Sequence, residues 1–140
     1  MKMNPYLSFN GNCREAFRFY EKVLRGKIAF MQTYGDAPPT EKTSPESRDK
    51  IMHVRLTVGD FVLMGSDAPP QYFSKPQGFS ISLNTNDAAE AERLFNALAD
   101  NGEVKMPLQE TFWAKRFGML IDQFGIPWMV NCEKPGAAQA

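Results

Sequence analysis

The chain has 140 residues and a mass of 15.8 kDa, with 43% hydrophobic and 23% charged residues, which is enough apolar material for a packed core and excludes wholesale disorder. Sixteen basic and sixteen acidic side chains balance to a formal net charge of zero, which excludes a protein whose main work is gripping nucleic acid. No apolar run reaches the length of a membrane span, and residues 1–7 lack the apolar stretch of a secretory signal, so the expected setting is the cytoplasm with no membrane partner.

Residues 5–10 (PYLSFN) read as a short strand. A helix follows over residues 12–25: Asn12 and Glu15 have capping-box spacing, and Ala16, Phe17, Tyr20, Val23 and Leu24 recur at helical intervals. Gly26 stands where a left-handed C-terminal cap is expected. Residues 28–34 form a second strand, and residues 35–49 (GDAPPTEKTSPESRD) read as a long mobile loop. Two strands over residues 50–58 and 61–65 meet at a Gly59-Asp60 turn. Residues 66–78 cannot continue a sheet because of Pro69, Pro70 and Pro76, so they read as a linker carrying Tyr72 and Phe73.

The pattern then starts again. Residues 79–84 form a strand. Asp87 and Glu90 have capping-box spacing, and Ala91, Leu94, Phe95 and Leu98 make one face of a helix over residues 87–101. Strands follow over residues 103–108, 115–121 and 126–132, the last two joined across residues 122–125, and a small polar tail after Lys134 is expected to fray. FNGN at residues 9–12 lies over LNTN at residues 83–86, and on the same offset Tyr20 meets Leu94 and Leu24 meets Leu98. The chain is therefore two copies of βαβββ, with unit one at about residues 4–66 and unit two at about residues 78–133. A single unit is too small to bury both its helix and its sheet well. Together the two predict an α+β domain, an incompletely closed eight-stranded curved sheet with helices outside and a cavity inside.

A duplicated βαβββ unit with the helix motif Phe19-Tyr20-Glu21-Lys22-Val23-Leu24 resembles the vicinal oxygen chelate superfamily of glyoxalases, bleomycin-resistance proteins and extradiol dioxygenases. Within it the chain is similar to the PhnB-like branch, which carries a demethylubiquinone methyltransferase-like label. Four stretches carry the likeness: PYLSFNGNCREAFRFY (5–20), MGSDAPP (64–70), QETFWAKRFG (109–118) and DQFGIPWMVN (122–131). The resemblance implies a homodimer, and in metal-using members it implies four ligands on the sheets. Those positions hold Pro5 or Tyr6, Leu63 or Met64, Ser80 and Met129, a poor donor set for Zn, Ni, Fe or Mn. No cofactor and no metal are expected at that place.

The candidate binding residues are His53, Arg55, Ser80, Glu110, Phe112 and Trp113. In IMHVRLTV, alternation puts Met52, Val54, Leu56 and Val58 on the face under the helix, and Ile51, His53, Arg55 and Thr57 on the other. His53, the chain's one imidazole, reads either as a structural histidine or as a proton carrier and ligand anchor. Arg55 suits a carboxylate or phosphate, or else pairs with a neighbouring acid. Glu110, Phe112 and Trp113 combine a carboxylate with two aromatic rings, as a pocket wall does, although an aromatic plug or dimer seam would use them too. Trp128 reads as core. Ser8, Ser80 and Ser82 stand outside any Gly-x-Ser-x-Gly elbow, and neither a P-loop nor a Gly-rich methyltransferase loop is present. Cys13 and Cys132 are not in a CxxC pair and read as reduced thiols.

Two functions follow from these residues. The first is metal-free binding of a small apolar or aromatic molecule. The second is a metal-dependent lyase or dioxygenase of the glyoxalase type, using a displaced site such as His53 with Glu110.

Overall fold

The computed structural model describes residues 1–38 and 44–135. The chain divides into two compact units, Met1–Ser74 and Lys75–Ala140. The first runs β1 (Tyr6–Phe9), α1 (Cys13–Leu24), β2 (Lys27–Thr33), β3 (Ile51–Val58) and β4 (Phe61–Asp67). The second runs β5 (Ile81–Thr85), α2 (Ala88–Ala99), β6 (Glu103–Gln109), β7 (Ala114–Ile121) and β8 (Pro127–Glu133). The fold is α+β with two similar βαβββ units, as the internal repeat predicts. Among the described residues the strands bond as two four-stranded sheets, ordered β1-β4-β3-β2 and β5-β8-β7-β6. Each sheet is mixed: the first strand lies parallel to the last, and the remaining neighbours are antiparallel.

Each helix covers one face of its own sheet. From α1 the buried residues are Cys13, Ala16, Phe17, Tyr20 and Val23, and the buried strand residues Leu7, Phe9, Val54, Leu56 and Leu63 complete that core. From α2 they are Ala91, Leu94, Phe95 and Leu98, with Leu120, Trp128 and Val130 buried on the strands. The apolar spacing of each helix matches the buried faces of its strands, so hydrophobic burial selects which side of each sheet is covered.

Four local readings need correction. Asn12 makes no side-chain cap on α1; instead Asp67, at the end of β4, accepts from the backbone N–H groups of Gly11 at 2.8 Å and Cys13 at 3.0 Å. The left-handed residue after α1 is Arg25 (φ 54°), not Gly26. Gly26 is small for another reason: a side chain there would run into the carbonyl oxygen of Thr57 on β3. Ile51 is buried with Val54 and Leu56, because the β2–β3 register slips between Gln32–His53 and Thr33–Ile51 and leaves Met52 as an extra residue. The fourth concerns the ends of the long loop after β2. The Tyr34 N–H donates to the Lys50 carbonyl at 3.0 Å and the Gly35 N–H to the Arg48 carbonyl at 2.9 Å, and short 3-10 turns form at Tyr34–Asp36 and Pro45–Ser47. The middle of that predicted loop, residues 39–43, and most of the predicted frayed tail, residues 136–140, lie outside the described residues.

Candidate functional site

Beyond the Met52 bulge the alternation of β3 holds, so His53, Arg55 and Thr57 stand on the face away from α1. Across the ladder Arg55 is level with Met64 of β4 and Phe30 of β2, and Met64 is level with Tyr6 of β1. His53 is the centre of an aromatic group. Its Nδ1 and the Tyr6 hydroxyl are 3.2 Å apart, the two rings are stacked with centroids at 5.7 Å, and Phe30 flanks the imidazole at 5.9 Å. Tyr6 and Phe30 are 49% and 48% exposed, so the uncovered face of the first sheet presents aromatic surface rather than polar side chains alone.

The other four candidates belong to the second unit. Ser80 precedes β5 and is half-buried. Glu110 is exposed and lies 3.3 Å from the Lys134 ammonium. The turn before β7 is held by the Ala114 N–H donating to the Thr111 hydroxyl at 3.0 Å and by the Thr111 N–H donating to the Ala114 carbonyl at 3.0 Å. Phe112 and Trp113 ride on that turn, with ring centroids 4.8 Å apart, and Trp113 meets Phe117 at 5.4 Å. Phe117 is level with Asn131 and stands on the face away from α2; Arg116, on the other face, reaches Glu92 of α2 at 3.2 Å. Trp113 therefore packs toward the uncovered face of the second sheet. That face also carries amides: Asn131 donates to Asn84 at 3.1 Å, and the buried Asn131 Oδ1 has no hydrogen-bond partner among the described residues.

The residues at the superfamily's metal positions do not fit a divalent cation. The Tyr6 phenol is engaged with His53, while Met64, Ser80 and Met129 offer thioethers and one hydroxyl. Among the described residues no three His, Cys, Asp or Glu side chains come together as a ligand cluster.

Sequence reasoning missed three features of the first unit. A cavity of about 470 Å³ opens beside the start of α1, lined among others by Asn10, Tyr34, Glu46, Lys50, Met52 and Pro69. Its far wall is the segment read as a mobile loop, so no sequence signal announced it. Asp67 is buried and accepts a third bond, from the Ile51 N–H at 2.8 Å, which ties β3, β4 and the start of α1 to one carboxylate. The third is the Tyr6–His53 contact. Burial pushes the Cys13 thiol well above the ordinary thiol range, and the Asp67 charge adds to the shift. The Tyr34 phenol, which donates to the Asp67 carbonyl at 2.7 Å, is raised first by burial and then by the same charge.

The architecture and the motifs at residues 5–20 and 109–131 define a vicinal oxygen chelate fold. The family model described as 3-demethylubiquinone-9 3-methyltransferase matches residues 1–131, and the chain belongs to that family. Protein YjdN of Escherichia coli K12 is 35% identical, with 99% of this chain and 100% of that protein aligned. The crystal structure of protein PA1353 from Pseudomonas aeruginosa is 54% identical, with a TM-score of 0.88 over 95% of this chain and 98% of that one. The PhnB protein of Bacillus cereus shares the fold at a TM-score of 0.80 and 24% identity, over 94% of this chain and 99% of that one. No helix among the described residues is long and apolar enough to cross a membrane.

Proposed function

We propose that the chain binds a small apolar or aromatic molecule without a metal, using the uncovered faces of its sheets. The observation that carries this reading is the aromatic surface around His53. Two half-exposed rings, Tyr6 and Phe30, flank the one imidazole, and Arg55 stands beside them. Apolar walls with a few polar anchors are what a small-molecule site requires. On the second unit, taken by itself, Trp113, Phe112, Glu110 and Ser80 are proposed as ligand contacts of its own sheet.

The displaced-metal reading has less support. Glu110 would have to leave Lys134 to serve as a ligand, and His53 already spends Nδ1 on Tyr6. The methyltransferase activity in the family's name has no cofactor-binding motif behind it in this sequence. We also propose a homodimer, because the outer strand on each side of each four-stranded ladder is paired on one side only within its unit, and such edges need cover.

Thermal-shift screening with a library of aromatic metabolites tests the binding reading. A ligand at one hundred times its dissociation constant stabilises by roughly 2.7 kcal/mol, and Trp113→Ala should shrink that shift while leaving the unliganded protein folded. A library that shifts nothing sinks the reading. Light scattering that returns a mass near 15.8 kDa at micromolar concentration sinks the dimer.

A further inference from the structure

The chemistry of the His53 face narrows the ligand class, and this step rests on the binding reading above. Nδ1 of His53 faces a phenol. An imidazole nitrogen is a far stronger base than a phenolic oxygen, so the Tyr6 hydroxyl donates and Nδ1 accepts. The proton of the neutral ring then sits on Nε2, and the group offered to a ligand is a donor. Among the described residues Nε2 has no hydrogen-bond partner. Arg55 lies two residues along the same face, roughly 6.6 Å further on. Its guanidinium is exposed and makes no ion pair among the described residues, so it is a second donor with no acceptor.

No carboxylate of the sheet answers these donors. Strands β1 to β4 hold one acidic residue, Asp67, and its carboxylate is satisfied by three backbone N–H groups, Gly11 and Cys13 at the start of α1 and Ile51 of β3. The other residues on the uncovered face are neutral or basic: Tyr6, Ser8, Lys27, Phe30, Gln32, Thr57, Val62, Met64 and Ser66. The face therefore has donors and positive charge in its middle and apolar surface from Phe30 and Met64 beside them.

We propose that this face takes a molecule bearing an oxyanion, a carboxylate or a phosphate ester, gripped by His53 Nε2–H and the Arg55 guanidinium, with its apolar body against Phe30 and Met64. Tyr6 is the positioning residue, since it holds the imidazole in the tautomer that donates.

The single histidine makes the test direct. In protein labelled with 15N, the two imidazole nitrogens of His53 report the tautomer with no assignment problem. At about pH 8, where an ordinary imidazole is neutral, they should show a bare Nδ1 and a protonated Nε2. Three probes of one ring size are then titrated: benzoate, phenyl phosphate and benzamide. At least one of the two anions should move the Nε2 signal and bind about tenfold tighter than benzamide, and whichever binds tighter tells carboxylate from phosphate ester. Arg55→Gln, at an exposed site, should abolish that preference. Tyr6→Phe should mix the tautomers and weaken the anion several-fold with the ring stack retained. Equal binding of all three probes overturns the oxyanion inference and leaves small-molecule binding standing. A protonated Nδ1 in the free protein also overturns it. If none of the probes perturbs the imidazole, the oxyanion inference falls, and the thermal-shift screen decides separately whether the broader reading survives.

Discussion

The two units share one topology but hold it together differently. In the first, the buried carboxylate is Asp67 at the end of β4, and its three N–H donors come from two other elements, with Gly11 and Cys13 56 and 54 residues away. In the second it is Asp122, in the β7–β8 turn, and its donors are local: the N–H groups of Phe124 at 2.9 Å and Ile126 at 3.0 Å and the Trp128 indole at 2.8 Å. The helix starts follow suit. Asp67 caps α1 from a distant strand, whereas α2 is capped by its own Asp87, which accepts from Ala89 at 2.9 Å and Glu90 at 3.4 Å. The uncovered faces differ too: aromatic and basic around His53 in one unit, amide-rich with Trp113 and Phe117 in the other. Backbone topology tolerates such divergence because it depends on the apolar spacing of helix and strands, which both units keep. The anchors and the faces are free to specialise.

If long-range anchoring marks the first unit, removing Asp67 should cost most. Asp67→Ala strands three N–H donors on two other elements, and at about 1–3 kcal/mol for each buried unsatisfied group the loss should be roughly 3–5 kcal/mol, read by chemical denaturation. Asp122→Ala frees the N–H groups of Phe124 and Ile126 and the Trp128 indole, but these lie within six residues of it, where the local chain can readjust, so its cost should be smaller, about 2–3 kcal/mol. Equal losses would erase the distinction between distant and local anchoring.

Alkaline pH should probe the same anchor. Cys13 and Tyr34 both keep their protons more tightly in the folded state than in the unfolded chain. A raised folded pKa gives stability that is complete below the unfolded value and fades as pH climbs past it. Stability should therefore fall above about pH 9, where an exposed thiol begins to ionise, and fall further above about pH 10 as the phenol follows. Cys13→Ala should flatten the first part of that decline. A melting temperature that is level from pH 8 to 10.5 in the wild-type protein would contradict it.

Most of the fold was legible because it rests on local periodicity. The strands and helices fall within about two residues of where alternation and apolar spacing put them, and Trp128 is buried as its place in the last strand predicts. What the pattern hid depends on partners far apart in sequence. Asp67 ends a strand and looks like a turn residue; only the folded chain brings Gly11, Cys13 and Ile51 to it. Met52 shows no sign of a bulge, since a slip in register is a property of two strands, not of one. Tyr6 drew notice as an unfit metal ligand, and its partner His53 is 47 residues away. A signal did exist: the parallel β1–β4 pairing implied by a βαβββ unit puts Tyr6 and His53 on the same face. The pairing of Glu110 with Lys134 had no such signal, because it joins a turn to the chain beyond the last strand.

The smallest effect separates the two helix starts most cleanly. Both carry a capping-box spacing, Asn12 with Glu15 and Asp87 with Glu90, so sequence alone treats them as equal. In the structure only Asp87 bonds to the backbone of its helix; Asn12, with φ −115° and ψ 25°, makes no side-chain cap. Asp87→Ala should therefore cost about 1 kcal/mol, the usual loss for a cap whose side chain is bonded. Asn12→Ala should stay within about 0.5 kcal/mol, as substitutions away from such features do. Reversed magnitudes would mean that Asn12 caps α1 in solution, and Asp67 would then be an anchor for β3 alone. If the order holds, the double variant Asn12→Ala with Asp67→Ala should lose no more than Asp67→Ala by itself within error, because Asn12 has no bond of its own to forfeit.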